Sequence, residues 1–414
     1  MYEKFKRSIQ PIINIYHLAK AIVANAYFGF PSKKLKVIGI TGTDGKTTTT
    51  FLIYHILKSA GKKVSMISSV YANVAGHEYD TGLHTTTPDA VYVQQLLKKS
   101  KDHGDEYFVL ETTSHALDQN RVYGLNFEVG VITNITSEHL DYHRTREKYI
   151  RAKAKLFLQS RQCVVNKDDD SYKNLQKILD ENKKEYATCS LQSKADFTIN
   201  LKKKLDIEIA EFNNYNYLEA YAVAKLLGLQ EEKILKALKT FTLPKGRLEV
   251  VYNKDFKIII DFAHTENSIR KALQSIKVMM GRGRLIHVFG AAGLRDAVKR
   301  PGMGDASGEF ADVVILTEED YRTEDPRVIT TEIGEGLKAR GFEEVEEDAI
   351  TNSTKNKHTF ILERSKAIEK AIAIAQNGDV IVLTGKSHER SLARGTKEYP
   401  YSEEEEVRKA LGAN

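Results

Sequence analysis

Short apolar runs alternate with helical patterns along most of the chain, starting near Leu35. The run KVIGITG predicts a buried strand, and the spacing of apolar residues over 45–59 predicts a helix directly after it. Continuous apolar strands separated by helices are typical of a parallel sheet that is covered on both faces. The other runs that predict strands in this half are KVSMIS, YFVLE, GVITN and CVVN.

The pattern changes near residues 201–212, where LDIEIAEF alternates apolar and polar positions. That alternation predicts a half-exposed antiparallel strand. Helical patterns follow over 217–227 and 231–239, and PKGRLEV then marks a break through Pro244 and Gly246. Beyond the break the alternation of strands and helices resumes, with predicted strands KIIIDF, LIHVFG, DVVILT and DVIVLT.

These patterns divide the chain into three parts. We predict an N-terminal amphipathic arm over 1–34, a central domain over 35–245 and a C-terminal domain over 246–414. Both domains are predicted to be α/β, the central one with a parallel sheet and the C-terminal one with a Rossmann-like arrangement. A reaction between two substrates commonly takes place in a cleft between two such domains.

Residues 11–30 of the arm are apolar enough to suggest a membrane-spanning helix, but polar residues such as Asn14 and Lys20 would be costly in lipid. No small-residue cleavage site follows, which argues against a signal peptide. We expect an amphipathic helix packed on the next domain. A helix lying on an anionic bilayer is the alternative, with the protein peripheral at the inner membrane face, because basic residues precede the segment at Lys4, Lys6 and Arg7.

The composition is that of a globular protein in a reducing compartment. Hydrophobic residues make up 41% and charged residues 29% of 414 positions, which excludes disorder as the main feature. The net charge of +6 is too mild to predict nucleic-acid binding, and it suits a protein that handles anionic small molecules. Two cysteines, Cys163 and Cys189, cannot form a disulfide framework or a cysteine-based zinc site, so a cytoplasmic location fits.

The segment ITGTDGKTTTT predicts a phosphate-binding loop between the first strand and its helix. Gly42 and Gly45 let the backbone turn so that its N–H groups face an anion. Lys46 adds a positive charge, and Thr47 adds a hydroxyl that suits Mg²⁺. The strict phosphate-loop pattern has a glycine at the position of Ile40, so the match is near rather than complete.

The predicted strand YFVLE ends in a carboxylate, that of Glu111. The carboxyl ends of parallel strands meet at one edge of a sheet, so Glu111 is expected to point to the same crevice as the phosphate loop. Oxygen ligands of this kind suit Mg²⁺. The downstream residues His115, Gln119 and Arg121 favour a site over a solvated strand end.

A third cluster lies in TNITSEHLDYHRTREKYIRAKAKLF, where His139, Asp141 and His143 alternate along a loop. A helix that contains Lys153 follows. The cluster suggests a metal site, and zinc is conceivable, although no further zinc-ligand set is apparent.

From about Val37 to the C-terminus the chain contains an ordered series of motifs: GTDGKTTT, HTTTPD, ETTSHALDQNR, TNITSEHLDYH, YIRAKAKLF, FNNYN, KGRLE, DFAHTENS, VFGAAGLRDAVKRP, YRTEDP and LTGKSHE. This series resembles the Mur ligase family, the ATP-dependent amide ligases of peptidoglycan precursor synthesis. Within the family the chain is most similar to the members that add the third amino acid of the peptide.

The resemblance implies a role for each matching residue. It implies catalytic roles for Lys46, Glu111, His139 and Lys153. It implies Mg²⁺ ligands at Thr47, Glu111, His139 and Lys153, the last of them carbamylated so that a cation becomes an oxygen ligand for a second Mg²⁺. The ATP contacts it implies are Gly42, Thr43, Asp44, Gly45, Lys46, Thr47, Thr48, Asn213, Asn216, Arg247, Asp261 and His264. The acceptor muropeptide would meet Thr86, Thr87, Thr113, Ser114, Gln119 and Arg121, and the incoming amino acid would meet Arg295, Arg322, Gly385 and Glu389.

The activity implied by the resemblance is ligation through an acyl-phosphate, with ATP and Mg²⁺ as cofactors and a central P-loop ATPase domain. The substrates would be a muramyl-peptide precursor and an amino acid, with no nucleic-acid partner. Domain closure would exclude water from the reaction. The alternatives are a Mur-like ligase for another amino-acid polymer or for folate polyglutamate, and a non-catalytic nucleotide-binding subunit.

The sequence departs from the family pattern in four places. Only 34 residues precede LKVIG, too few for the family's UDP-binding domain, so we expect an acceptor held without UDP, either lipid-linked or held by a partner's surface. The D-N-P-R selectivity motif reads EDYR over 319–322, in which Arg322 favours meso-diaminopimelate and Asp320 favours lysine. Two smaller changes are Ser387 within GKSHE and Glu138 before His139.

Overall fold

The computed structural model describes residues 2–80, 86–136, 138–207 and 209–412, without the side chains of residues 2–9 and Asp141. The chain divides into two compact units, Met1–Thr242 and Leu243–Asn414. Both are α/β, as the sequence predicts.

In the first unit, strands and helices alternate along the chain. Its strands are β1 Lys36–Thr41, β2 Val64–Ile67, β3 Ala72–Val74, β4 His77–Tyr79, β5 Tyr107–Glu111, β6 Phe127–Ile132, β7 Ser160–Asn166 and β8 Glu185–Cys189. Its helices are α1 Tyr2–Tyr27, α2 Lys46–Ser59, α3 Ala90–His103, α4 Ser114–Asp118, α5 Leu140–His143, α6 Arg146–Leu158, α7 Tyr172–Glu181, α8 Leu201–Leu205, α9 Asn213–Leu226 and α10 Glu231–Lys239.

In the second unit the same alternation continues from Glu249 onward. Its strands are β9 Glu249–Asn253, β10 Lys257–Asp261, β11 Leu285–Phe289, β12 Val313–Leu316, β13 Glu343–Glu344, β14 Lys357–Phe360, β15 Val380–Thr384, β16 Ser391–Arg394 and β17 Lys397–Pro400. Its helices are α11 Glu266–Met279, α12 Arg300–Gly308, α13 Pro326–Ala339, α14 Arg364–Ala373 and α15 Glu403–Ala410.

The sheet of the first unit has the strand order β4-β3-β2-β5-β1-β6-β7-β8 in the described part of the chain. β1 pairs in parallel with β5 and β6, whereas β3 and β4 join one edge antiparallel. Side chains along β1 alternate between the two faces. Ile38 and Ile40 pack in one apolar cluster with α2 and α9, and Val37 packs in another with α3. The strand reads as a continuous apolar run because both faces are covered.

The sheet of the second unit follows the same rule, with the order β13-β14-β12-β11-β15-β10-β9 over the described residues. Its strands are parallel apart from β9, which pairs antiparallel with β10. Ile259 packs on one face, and Ile258 and Ile260 pack on the other. The predicted parallel sheets in both halves of the chain are therefore confirmed.

The N-terminal helix α1 packs on the first unit through small and polar side chains. Ala21 and Ala24 are buried, and Asn25 donates to the Tyr123 carbonyl over 2.9 Å. Gln94 of α3 in turn donates to the Asn25 side chain over 2.9 Å. Among the described residues, no helix is long and apolar enough to cross a membrane.

The antiparallel strand predicted near 201–212 is wrong for the residues described there. Leu201–Leu205 forms helix α8, which begins where the Asn200 side chain accepts a hydrogen bond from the Lys203 amide over 3.0 Å. Glu208 lies outside the described residues, and the positions on either side of it form no strand. Leu201 and Leu205 are both buried at a spacing of four residues, which is a helical period.

Candidate active site

The phosphate loop connects β1 to α2, and its glycines have little room for a side chain. Gly42 has φ of 154°, and a β-carbon there would come within 1.9 Å of Thr133 Oγ1. Gly45 has φ of 82°, and a β-carbon there would come within 2.2 Å of Asn216 Oδ1. Both positions therefore require glycine for conformation and for space. The N-terminus of α2, which directs backbone N–H groups outward, begins at Lys46.

Residues after β6 hold this loop in place. The Asn134 side chain accepts from the Asp44 amide over 3.0 Å and donates to the Asp44 carbonyl over 3.0 Å. Thr133 Oγ1 donates to the same carbonyl over 2.6 Å. The Thr43 hydroxyl accepts from the Thr136 amide over 3.1 Å. Sequence reasoning missed these supporting residues, although the polar pair TN directly after the run GVI is a signal that points to the sheet edge.

Lys46, Thr47 and Glu111 lie together at the end of β1 and β5. Thr47 Oγ1 donates to Glu111 Oε1 over 3.1 Å, and the Ser69 amide donates to Glu111 Oε2 over 2.9 Å. Glu111 is almost fully buried. Lys46 Nζ donates to the Thr43 carbonyl of the loop over 2.7 Å. The arrangement places a hydroxyl, a carboxylate and an ammonium at the first turn of α2.

Lys153 of α6 also contacts the phosphate loop. Its side chain is buried, and Nζ donates to the Gly42 carbonyl over 2.5 Å. Burial, with the added effect of the Lys46 charge, holds the pKa of Lys153 well below its ordinary value. A lowered pKa increases the share of the neutral amine, which is the form that reacts as a nucleophile.

His139, His115 and His143 form a group of rings next to the loop. The centre of the His115 ring lies 4.8 Å from the centre of the His139 ring and 5.6 Å from the centre of the His143 ring. Burial lowers the pKa of His139 to about 3 and of His143 to about 4, so both are neutral at physiological pH. His143 Nε2 lies 3.0 Å from Ser114 Oγ. His143 thus contacts Ser114, which is expected to bind the acceptor substrate.

Within the described part of the chain, no three His, Cys, Asp or Glu side chains converge on a point that would hold a metal ion. A zinc site of that kind is therefore not formed by the described residues, and the side chain of Asp141 lies outside them. The oxygen donors Thr47 and Glu111 fit Mg²⁺ instead, because it prefers hard oxygen ligands and keeps several of its waters.

The residues that are expected to contact the acceptor substrate lie together beside Glu111. The Thr87 hydroxyl donates to the Glu111 carbonyl over 3.1 Å and accepts from the Thr113 amide over 3.0 Å. Arg121 Nη1 donates to the Thr87 carbonyl over 3.1 Å, and Nη2 donates to Gln119 Oε1 over 2.7 Å. Thr86 is half-buried at the start of this group. The first two residues of HTTTPD, at 84 and 85, lie outside the described residues.

Asn213 and Asn216 lie on α9, against the first turn of α2. Both are buried, and Asn216 Nδ2 donates to Asn213 Oδ1 over 2.7 Å. Thr49 Oγ1 donates to Asn216 Oδ1 over 3.3 Å. Thr48 is buried in the same turn. The structure thus brings these residues to the phosphate loop, where Asn216 is the neighbour that excludes a side chain at position 45.

In the second unit, Arg247, Asp261 and His264 gather at the end of β10. Asp261 accepts from the amides of Leu248 and Ala263, each over 2.8 Å, and burial raises its pKa. The Arg247 guanidinium lies 4.6 Å from the centre of the Phe262 ring. His264 Nδ1 lies 2.9 Å from the Phe262 carbonyl.

The residues expected to meet the amino acid surround a buried lysine of the second unit. Lys386 Nζ donates to Asp320 Oδ1 over 2.9 Å and to Glu389 Oε2 over 2.6 Å. Burial opposes the charge of Lys386, but Glu389 and Asp320 outweigh it and raise the lysine's pKa. Arg322 Nη1 donates to the carbonyls of Gly293 and Asp320 over 2.9 and 3.1 Å.

Two further residues of this set lie on loops. Gly385 has φ of 101°, and a β-carbon there would come within 2.8 Å of Glu319 Oε2. Arg295 is exposed on the loop after β11. Sequence reasoning missed the pairing of Lys386 with Asp320, because 66 positions separate the two residues.

Known family models match most of the chain. The Mur ligase middle domain matches residues 40–228, and the glutamate ligase domain of Mur ligases matches residues 246–387. A curated relative is the UDP-N-acetylmuramoyl-L-alanyl-D-glutamate--2,6-diaminopimelate ligase of Aquifex aeolicus, 38% identical over 98% of this chain and 83% of the relative. The corresponding protein of Clostridium perfringens is also 38% identical, over 90% of this chain and 77% of its own length.

Solved structures agree with the fold. A UDP-N-acetylmuramoyl-L-alanyl-D-glutamate--2,6-diaminopimelate ligase aligns with a TM-score of 0.57 at 27% identity, over 91% of this chain and 78% of that chain. These likenesses confirm the resemblance predicted from the motifs. The two matching domains and the 38% identity over nearly the whole chain place this protein in the Mur ligase family.

Proposed function

We propose that this protein is an ATP-dependent ligase that joins meso-diaminopimelate to the terminal carboxylate of a muramyl-peptide precursor. The proposal rests on one observation above all: Lys46, the Thr47–Glu111 pair and Lys153 surround a single phosphate loop at distances of 2.5–3.1 Å from their partners. A subunit that did not catalyse would have no need of all these groups. The relatives named above as diaminopimelate ligases agree with this activity.

The first step we propose is activation of the acceptor. Its carboxylate oxygen attacks the γ-phosphorus of ATP, the bond from that phosphorus to the bridging oxygen breaks, and ADP leaves. The ammonium of Lys46 and the N–H groups at the start of α2 offset the charge on the phosphate oxygens. Arg121, held by Gln119 and the Thr87 carbonyl, would position the acceptor near Glu111.

The divalent ions we propose are Mg²⁺. Thr47, Glu111 and His139 would hold one ion, and a carbamylated Lys153 would supply a ligand for a second. Bound there, the ions would neutralise charge on the phosphate oxygens. The lowered pKa of Lys153 fits carbamylation, because the neutral form of the amine is the one that adds to carbon dioxide. The resulting carbamate would place an anionic oxygen donor beside the Gly42 carbonyl, to which the amine now donates.

The second step we propose forms the amide. The amine of the incoming amino acid attacks the acyl carbon, and inorganic phosphate leaves. The second unit would hold this amino acid through Arg322, Arg295, Gly385 and Glu389, and its Arg247, Asp261 and His264 would contact the nucleotide. Arg322 supplies the guanidinium that a side-chain carboxylate requires.

The pairing of Asp320 favours meso-diaminopimelate over lysine. Asp320 is buried, and its carboxylate accepts from Lys386 Nζ and from the Ala393 amide, each over 2.9 Å. Its negative charge is therefore compensated within the protein and does not select a second ammonium on the substrate. Arg322 then determines the preference.

The test supplies the purified protein with ATP, Mg²⁺ and UDP-linked or lipid-linked muramyl dipeptide, together with meso-diaminopimelate or lysine. A separate reaction contains a folate and glutamate instead, and ADP release and the ligated product are measured in each. We expect kcat/KM for meso-diaminopimelate to exceed that for lysine by at least ~100-fold, and Arg322→Ala to reduce this ratio by at least ~10-fold. Arg327→Ala, an exposed arginine of α13, is the matched control. A preference for lysine, or product only from a folate and glutamate, would refute the assignment.

A further inference from the structure

The side of helix α1 that faces the protein mixes small, apolar and polar residues, whereas the outward side is apolar. The large apolar side chains Ile12, Ile15, Tyr16, Ile22, Val23 and Tyr27 are between 51% and 81% exposed. Their spacing, with Ala19 and Ala26 between them, follows one face of an α-helix. We call this set of six side chains the outer stripe. A surface helix of a globular protein ordinarily has the reverse orientation.

Polar contacts fix this orientation. On the inner side, Asn14 Nδ2 donates to Asp118 Oδ2 over 3.1 Å, and Lys20 lies 3.4 Å from Asp89. Asn25 is buried and bonded to Gln94 and to the Tyr123 carbonyl. A rotation of α1 that hid the outer stripe would break these bonds and leave buried polar atoms without partners. The exposed apolar face is therefore a property of the folded unit.

The charge around the helix indicates what covers this face. Residues 4–43 contain no Asp or Glu and contain seven basic residues, Lys4, Lys6, Arg7, Lys20, Lys33, Lys34 and Lys36. A second copy of the chain placed on the stripe would bring two such basic segments together, which like-charge repulsion disfavours. An anionic lipid surface is complementary in charge and accepts apolar side chains. Tyr16 and Tyr27, both exposed on the stripe, are the residue type enriched at the lipid–water interface.

We propose that the outer stripe of α1 inserts into the interface of an anionic bilayer, with the helix lying in the membrane plane. The stripe extends over about 22 Å of helix, which suits an interfacial helix. The inner contacts at Asp118 and Tyr123 flank the segment that contains Gln119 and Arg121. Docking would thus hold these two residues one helix away from the lipid surface.

The test exploits the absence of tryptophan from the chain. Tyr27→Trp places a single fluorophore on the stripe, and Tyr399→Trp places one on an exposed position of the second unit as control. The full-length variants are mixed with vesicles of phosphatidylcholine, with or without phosphatidylglycerol. We expect a blue shift of Tyr27→Trp emission with the anionic vesicles alone, weakened by added salt, and no shift for Tyr399→Trp.

Substitutions of exposed residues identify the surface involved. Ile15→Ser with Val23→Ser should lower sedimentation with anionic vesicles by at least ~10-fold. Val278→Ser, at a still more exposed position of the second unit, should leave sedimentation unchanged. Thermal unfolding of each variant checks that it folds.

No shift of the Tyr27→Trp emission, equal binding to both vesicle types, or unchanged binding of the double variant would overturn the proposal. A concentration-dependent dimer that the double variant abolishes would overturn it in favour of a second copy. No substrate is present, so failure here leaves the proposed ligase activity unaffected.

Discussion

At the scale of single residues, burial changes the chemistry of Lys153. Its amine has a depressed pKa and contacts the phosphate loop through the Gly42 carbonyl. We expect Lys153→Ala to lower kcat for ligation by at least ~100-fold, because an oxygen ligand for the divalent ion would be lost. Short carboxylates such as acetate should partly restore activity, measured as ADP release. Lys148→Ala, an exposed lysine of the same helix, should remain active.

Two results would contradict this role for Lys153. One is an alanine variant with normal activity, and the other is an inactive, folded variant that no carboxylate or bicarbonate restores.

Glu219 of α9 illustrates the opposite effect of burial. It is fully buried, and among the described residues neither carboxyl oxygen has a hydrogen-bond partner of ordinary geometry. Burial raises the pKa of Glu219 well above the ordinary value of 4.5. The folded protein then holds a proton that the unfolded chain releases above about pH 4.5, so Glu219 lowers stability as the pH rises from there.

We therefore expect Glu219→Gln to raise the Tm by about 3 °C at neutral pH, with a smaller gain near pH 5. Thermal unfolding followed across this pH range measures the effect. The matched control is Glu232→Gln, at an exposed position of α10. A gain that did not grow with pH would show that the Glu219 carboxyl is not protonated in the folded protein.

At the scale of elements, the loop between β1 and α2 has a strict requirement for glycine at position 45. Gly45 and Gly61 both have positive φ, at 82° and 79°, but a β-carbon would collide with Asn216 at position 45 and meet nothing within 4 Å at position 61. We expect Gly45→Ala to weaken binding of a magnesium ATP analogue at least ~10-fold, and to cost ~1–3 kcal/mol of stability. Gly61→Ala should bind the nucleotide normally. Equal nucleotide binding by the two variants would contradict the account of the loop.

The elements that the sequence predicts correctly are those buried on both faces. Ile38 and Ile40 face one apolar cluster and Val37 the other, so the continuous run is itself the evidence for a central strand. The short edge strands β3 and β4 have three residues each and no such run, so no prediction included them. In the 201–212 segment, Leu205, Ile207 and Ile209 also match a period of two, which hid the helical spacing of Leu201 and Leu205.

In the candidate site, too, some features can be predicted from the sequence and others cannot. Lys46, Thr47 and Glu111 are predictable because strand ends in a parallel sheet meet at one edge. The support that Asn134 gives to Asp44, and the neutralisation of Asp320 by Lys386, depend on pairs 90 and 66 positions apart. Such pairs depend on tertiary packing, which a single sequence does not encode in any local pattern.

At the scale of the whole molecule, each unit has apolar clusters on both faces of its own sheet. The first unit contains the phosphate loop and the acceptor residues, and the second contains the buried Lys386 network. The roles proposed for the two units in ligation follow from these two sets of side chains: the first unit would bind the ATP phosphates and the acceptor, and the second would bind the amino acid. The outer stripe on α1 belongs to the first unit, on the helix whose inner side contacts Asp118 and Tyr123 beside the acceptor residues.

The measurement that tests the central claim most directly is calorimetric titration of the full chain with a magnesium complex of a non-hydrolysable ATP analogue. We expect binding at one site, weakened at least ~10-fold by Lys46→Ala and unchanged by Lys58→Ala, an exposed lysine of the same helix. Absence of binding to the folded chain, or equal affinity in the Lys46→Ala variant, would contradict the account.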